Sequence, residues 1–180
     1  MGQKTSKKHA KIIILGLDYA GKTSILYRMK HNPHRKTNNS LHPSVPTVGF
    51  NAEVVKYTVG NTKVVFTMFD IGALFFKTKQ LAKHYLEENQ AIVFVIDSCC
   101  RDRLAEVRET MHRALENILV QNCKLLVFAN KQDIAGACTC EEMTELLNLK
   151  AIKQEWKIQP CSAKDGSGIY EGLAWLSQVI

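Results

Sequence analysis

The sequence predicts an α/β fold: a mostly parallel sheet with helices on both faces. Three observations lead there. The apolar run Ile12-Ile13-Ile14-Leu15 enters Gly16-Leu17-Asp18-Tyr19-Ala20-Gly21-Lys22-Thr23, a G-x-x-x-x-G-K-[ST] loop in its required setting of strand, glycine turn and helix. Two further apolar runs, 91–96 and 125–129, are continuous, as strands covered on both faces should be. Segments with helical spacing, 103–119 and 141–147, alternate with those runs.

Taken in order, residues 11–15 form the first strand and 22–30 the helix after the loop. Residues 31–46 are polar, carry Pro33, Pro43 and Pro46, and read as a long loop. Residues 53–59 and 63–69 are rich in β-branched side chains and alternate in polarity. Gly60-Asn61 between them predicts an antiparallel hairpin. After the strand at 125–129 and the helix at 141–147 come a short strand near 157–159 and a last helix from Ile169 to about Val179. No internal repeat or linker interrupts the chain, which divides into a basic tail at 1–10 and one domain at 11–180.

A chain of 180 residues with 46% hydrophobic and 23% charged residues fits one globular domain. It contains neither an apolar run long enough to span a bilayer nor a secretory h-region. The six cysteines form no C-x-x-C pair and read as reduced thiols of a cytoplasmic protein. The net charge of +7 comes without a nucleic-acid recognition motif. Much of it is concentrated in 4–11 and 31–36, where a basic patch facing acidic lipid or an acidic partner is equally physical.

The loop's chemistry follows from its residue types. Its glycines let backbone N–H groups curl around a β-phosphate, and the helix N-terminus adds its positive end. Lys22 can reach the β- and γ-phosphates, and the Thr23 hydroxyl can bind Mg²⁺. In such sheets ligands lie beyond the carboxyl ends of the strands, and the remaining motifs fall there. Asn130-Lys131-Gln132-Asp133 is N-K-x-D, whose carboxylate accepts N1–H and the 2-amino group of guanine. Adenine offers neither donor, so an unpaired Asp133 penalises it. Cys161-Ser162-Ala163-Lys164 contains an S-A-K turn able to give a backbone N–H to guanine O6. Asp70, with Ile71-Gly72 after it, can hold Mg²⁺ through water and offer the Gly72 N–H to a γ-phosphate. Thr47 can complete the Mg²⁺ shell when GTP is present, which outlines a γ-phosphate-dependent switch. The predicted nucleotide set is Asp18, Ala20, Gly21, Lys22, Thr23, Ser24, Thr47, Gly72, Asn130, Lys131, Asp133, Ser162 and Ala163. The predicted Mg²⁺ set is Thr23, Thr47 and, via water, Asp70.

The chain resembles the Arf/Arl branch of the Ras-like small GTPases. The resemblance rests on the loop 16–23, on Val45-Pro46-Thr47-Val48-Gly49-Phe50-Asn51, on Phe69-Asp70-Ile71-Gly72, on Val95-Ile96-Asp97-Ser98 and on Asn130-Lys131-Gln132-Asp133, in family order. It implies a P-loop NTPase fold with six strands, GTP/GDP and Mg²⁺ as ligands, a monomer, and effectors that read the GTP state in membrane traffic. It also implies that Phe50, Phe69 and Tyr85 form an aromatic effector patch; sheet packing is the alternative for each. A two-residue slide of the hairpin on GTP binding is implied as well. Such a slide keeps each side chain on its own face.

Three features depart from that branch. Where the family has Gly-Gly-Gln after the metal-linked Asp, this chain has Gly72-Ala73-Leu74. Leucine cannot orient the attacking water, so hydrolysis is expected to be weak, and the alternative is a GTP-bound scaffold that does not hydrolyse. A slip of one or two residues supplies no Gln; the nearest is Gln80. The loop 31–44 is longer than usual and carries His31, His34, Arg35, Lys36 and His42, most simply a solvated basic loop. Finally, the tail lacks the family's amphipathic helix, yet Met1-Gly2-Gln3-Lys4-Thr5-Ser6 matches M-G-x-x-x-[ST] for myristoylation. One acyl chain anchors only marginally, and Lys4, Lys7, Lys8 and Lys11 would supply the second signal on the cytosolic face of a membrane. The C-terminal Ser177-Gln178-Val179-Ile180 is no prenylation box.

Overall fold

The computed structural model describes residues 6–30, 50–59, 62–71, 88–116 and 120–180. Ten main elements follow in order: β1 (Ser6–Leu15), α1 (Lys22–Lys30), β2 (Phe50–Val59), β3 (Thr62–Ile71), β4 (Ala91–Asp97), α2 (Leu104–Leu115), β5 (Lys124–Asn130), α3 (Cys140–Leu146), β6 (Trp156–Pro160) and α4 (Ile169–Val179). The six strands form one sheet in the order β2-β3-β1-β4-β5-β6. Only β2 runs antiparallel to its neighbour, so the expected mostly parallel α/β sheet is what the chain forms.

Alternation along the strands splits the core in two. Ile13, Leu15, Ile92, Phe94, Leu125 and Val127 face α2 and α3, packing with Val107, Met111 and Met143. Ile12, Ile14, Val93, Val95, Leu126 and Phe128 face α1 and α4, packing with Ile25, Leu26, Leu173 and Leu176. β4 and β5 are therefore covered on both sides, which is why they read as unbroken apolar runs. α4 comes so close to the sheet that a Cβ on Gly172 would meet the Phe128 ring at 2.6 Å, so only glycine fits there. α3 begins at a capping box: Thr139 Oγ1 accepts from the Glu142 N–H (3.2 Å), and Glu142 Oε2 accepts from the Thr139 N–H (2.8 Å).

Several boundaries differ from those the sequence suggests. β1 begins at Ser6 rather than residue 11, because β3 offers it a parallel ladder from Ser6↔Thr62 to Ile14↔Asp70. Residues 6–9 are polar and carry no strand signature of their own; the neighbouring strand recruits them. The exposed Lys8 Nζ donates to the Ile180 carbonyl at 3.0 Å, joining the two ends of the described chain. α2 ends at Leu115 rather than 119, with Glu116 closing the last turn. The hairpin pairs Val59 with Thr62, which leaves the two residues 60–61 between its strands, as expected from Gly60-Asn61.

Candidate functional site

The carboxyl ends of β1, β4, β5 and β6 line one end of the sheet, and β1, β5 and β6 each release one of the sequence motifs there. After β1, the chain turns at Gly16 (φ +141°) and Gly21 (φ +95°) before α1 starts at Lys22. Both glycines are required by space and by backbone. A Cβ on Gly16 would lie 2.2 Å from the Val95 carbonyl oxygen, and one on Gly21 would lie 2.3 Å from Asn130 Nδ2. Tyr19 also holds a left-handed φ of 58°, with its ring exposed; a non-glycine residue there stores local strain. Lys22 is 7% exposed. Its ammonium donates to the carbonyls of Gly16 (3.0 Å) and Leu17 (2.7 Å), which places a buried cation at the centre of the loop. Thr23 and Ser24 follow on the first turn of α1.

Asn130 ties this loop to the other motifs. Its Nδ2 donates to the Ala20 carbonyl (2.8 Å), and its Oδ1 accepts the Ala163 N–H (2.9 Å). One buried side chain thus sets the spacing between the phosphate loop and the S-A-K turn. Ser162 Oγ donates to Asp133 Oδ1 at 2.7 Å and receives the Lys164 N–H at 3.1 Å, while Lys164 Nζ is 3.6 Å from Asp133 Oδ2. The carboxylate expected to read the base is held beside the turn expected to read O6. Lys131, with φ 69°, pairs with Asp97 at the end of β4 (2.6 Å), so it fixes the third wall of the same end of the sheet. Burial pushes the Cys161 thiol above its ordinary range, which keeps it neutral beneath the turn.

Of the predicted set, the structure brings together Ala20, Gly21, Lys22, Asn130, Asp133, Ser162 and Ala163 through these bonds, with Lys131 alongside. Asp18 belongs to the loop, but its carboxylate pairs with Arg103 at 2.7 Å. That hydrogen bond, opposed by partial burial, holds its carboxyl below the usual carboxylate range. Thr47, Gly72, Leu74, Tyr85, Gly2 and Lys4 lie outside the described residues, as do the side chains of Lys7, Phe50 and Asp70. Phe69 is half-buried and packs against the core face shared with Ile13, which fits the packing alternative for that ring.

Sequence reasoning missed three charged contributors. Asp97 anchors Lys131. Arg103, shared between Asp18 and Glu106 (2.8 Å), is raised far above its usual range by those two carboxylates. Arg28 contacts the S-A-K turn. Asp97 stands in the segment Val95-Ile96-Asp97-Ser98 but carries no role there in the sequence reading, and Arg103 and Arg28 lie in no motif.

The residues fit a nucleotide's phosphates: a glycine loop that no Cβ would permit, a buried lysine and a nine-residue helix opening at the loop. Thr23 fits a Mg²⁺ ligand on that first turn. Fold and site together define a Ras-like, P-loop guanine-nucleotide-binding protein. The family model for the ADP-ribosylation factor family matches residues 1–180. The chain belongs to the Arf family. It is also similar to the Arl6 (BBS3) small GTPase from Trypanosoma brucei, solved with the nucleotide analogue GppNp. Identity is 28%, over 95% of this chain and 96% of that one, with a TM-score of 0.78.

Proposed function

We propose that this protein is a guanine-nucleotide switch whose own GTP hydrolysis is slow, so that its GTP state persists and recruits effectors. The observation that supports nucleotide binding most directly is the pair of Asn130 bonds joining the phosphate loop to the base-reading turn. The Arl6 relative, solved with the bound nucleotide analogue GppNp, points the same way. The buried Lys22 ammonium and the loop amides would hold the phosphates. Asp133, oriented by the Ser162 hydroxyl, would accept from the guanine N1–H and 2-amino group. Thr23, with Thr47 and Asp70, would hold Mg²⁺, which neutralises phosphate charge when bound.

The slow-hydrolysis part rests on Leu74 in the sequence. Rates with the orienting Gln present are on the order of 10⁻⁴ s⁻¹ in Ras, and a positioned proton-handling group is worth about 10²–10⁴-fold. Single-turnover hydrolysis of Mg²⁺-GTP tests this. The wild type should fall at least about tenfold below a Gln-bearing rate, and Leu74→Gln should recover it. A wild-type rate equal to that of the Gln variant refutes the reading. A second reading is also favoured by Leu74: a GTP-bound scaffold with no turnover even with a partner. It differs by showing no hydrolysis in any lysate fraction.

Membrane contact belongs to the same proposal: an acyl group on Gly2, aided by Lys4, Lys7 and Lys8, on the cytosolic face of a membrane. Effector contact through Phe50, Phe69 and Tyr85 stands beside it. Intact mass after co-expression with a myristoyl transferase checks the anchor; no added mass on Gly2 eliminates it.

A further inference from the structure

Arg28 is six residues beyond Lys22 on α1, and no motif includes it. Its Nε donates to the Ala163 carbonyl at 2.9 Å, and its Nη2 donates to the Lys164 carbonyl. These are the carbonyls of two successive residues of the S-A-K turn. A planar guanidinium meets two successive carbonyls in a fixed fork, which a flexible ammonium does not reproduce. The backbone of Arg28 is itself held, because the Tyr170 hydroxyl donates to the Arg28 carbonyl at 3.1 Å. Tyr170 stacks on Tyr57 of β2, ring centroids 6.1 Å apart.

The consequence is mechanical. The turn 162–164 has two supports. Asn130 grips it through the Ala163 N–H, and Arg28 grips it through the carbonyls of Ala163 and Lys164. The same turn sets Asp133 by the Ser162 hydroxyl. α1 starts at the phosphate loop, so Arg28 fastens the base-reading turn directly to the helix that follows the phosphate-binding loop.

We propose that Arg28 is a positioning residue for guanine recognition: it holds the 162–164 turn, and through Ser162 the Asp133 carboxylate, in the geometry that reads the purine edge. It touches no nucleotide atom. This rests on the guanine-reading role of Asp133 proposed above.

The test compares release of fluorescent GDP and IDP from the full chain with Mg²⁺. IDP lacks the 2-amino group, so the ratio of the two release rates measures the Asp133 contact rather than overall grip. Arg28→Ala should speed GDP release by about tenfold, the scale of lost hydrogen bonds to a charged donor, and should narrow the GDP/IDP ratio by about threefold or more. Arg28→Lys should recover part of both effects, and it serves as the readout if the alanine variant does not fold. Equal acceleration of GDP and IDP would mean general loosening and would overturn the proposal, as would unchanged GDP release in both variants. Asp133→Asn in the otherwise native chain separates the two layers. If it leaves the GDP/IDP ratio intact, the guanine reading itself fails. If it collapses the ratio while Arg28→Ala does not, only the role of Arg28 fails.

Discussion

The two halves of the sheet are built on different principles. β4 and β5 are seven residues each and buried on both faces. β2 and β3 are ten residues each, and β2 is an edge strand that alternates: Val55 is buried and Tyr57 half-buried, while Ala52, Val54, Lys56 and Thr58 face solvent. The first half is held by packing from two layers of helices. The second puts Val55, Val64, Phe66 and Met68 into the core beneath α1 and α4 and leaves the other face of β2 to solvent. It adds its backbone ladders, β2 on β3 and β3 on β1, and side-chain ties such as Lys30–Glu53 (2.7 Å) and Tyr57–Tyr170. The lesson is a division of labour. The phosphate loop and the N-K-x-D motif follow strands buried in the core, β1 and β5. The hairpin, where the resemblance implies a register slide, has an edge strand with one face open to solvent, so fewer side chains hold β2 than hold β4 or β5.

The sharpest way to test the first half is to cut its link to the phosphate loop. Asn130→Ala removes two buried hydrogen bonds and leaves the Ala20 carbonyl and the Ala163 N–H without those partners. Each such loss costs about 1–3 kcal/mol. GDP affinity should therefore fall by about 10²–10³-fold, measured by fluorescent GDP titration, while the melting transition of β4–β5 stays cooperative. A fall of less than tenfold would mean that the rigid half does not set the geometry of the loop, and the contrast between halves would lose its functional meaning.

How much of this was legible in the sequence follows the same divide. Asn130 and Asp133 are legible because they follow the unmistakable apolar run of β5, so the motif and its place in the fold are read together. The glycine loop announces itself for the same reason. Ser162 and Ala163, after the short strand β6 with no such run, are legible only by the S-A-K pattern coming in order behind the other motifs. The hairpin was legible by period-two alternation and by its two-residue connection. Ser6–Ala10 were not, since Lys7, Lys8 and His9 carry no strand signature and join the sheet only because β3 supplies a ladder. Arg28, Asp97 and Arg103 escaped for another reason. Their roles depend on which carbonyl or carboxylate a long side chain meets across 34 to 136 positions of sequence, and periodicity does not encode that. Phe69 is partly buried against the core cluster that includes Ile13, a packing role that alternation alone already allowed.

The smallest expected effect probes the second half. Tyr57→Phe keeps the ring, and with it the stack on Tyr170 (interplanar angle 24°), and removes only the hydroxyl that donates to the Tyr170 carbonyl at 3.3 Å. A hydrogen bond that long and half-exposed belongs at the low end of the usual net range, about 0.5 kcal/mol. Amide exchange in β2 and the adjoining stretch of β3 should then quicken by about two- to threefold, with exchange in β5 unchanged. Two mechanisms make opposite predictions for the pattern. If the halves are separately held, the change stays in the hairpin, because β3, β1 and β4 lie between β2 and β5 in the sheet, even though Tyr57 and Tyr170 pack on the same core layer as Leu126 and Phe128. If the sheet opens as one unit, β2 and β5 quicken together, and the hairpin cannot serve as an independently moving element.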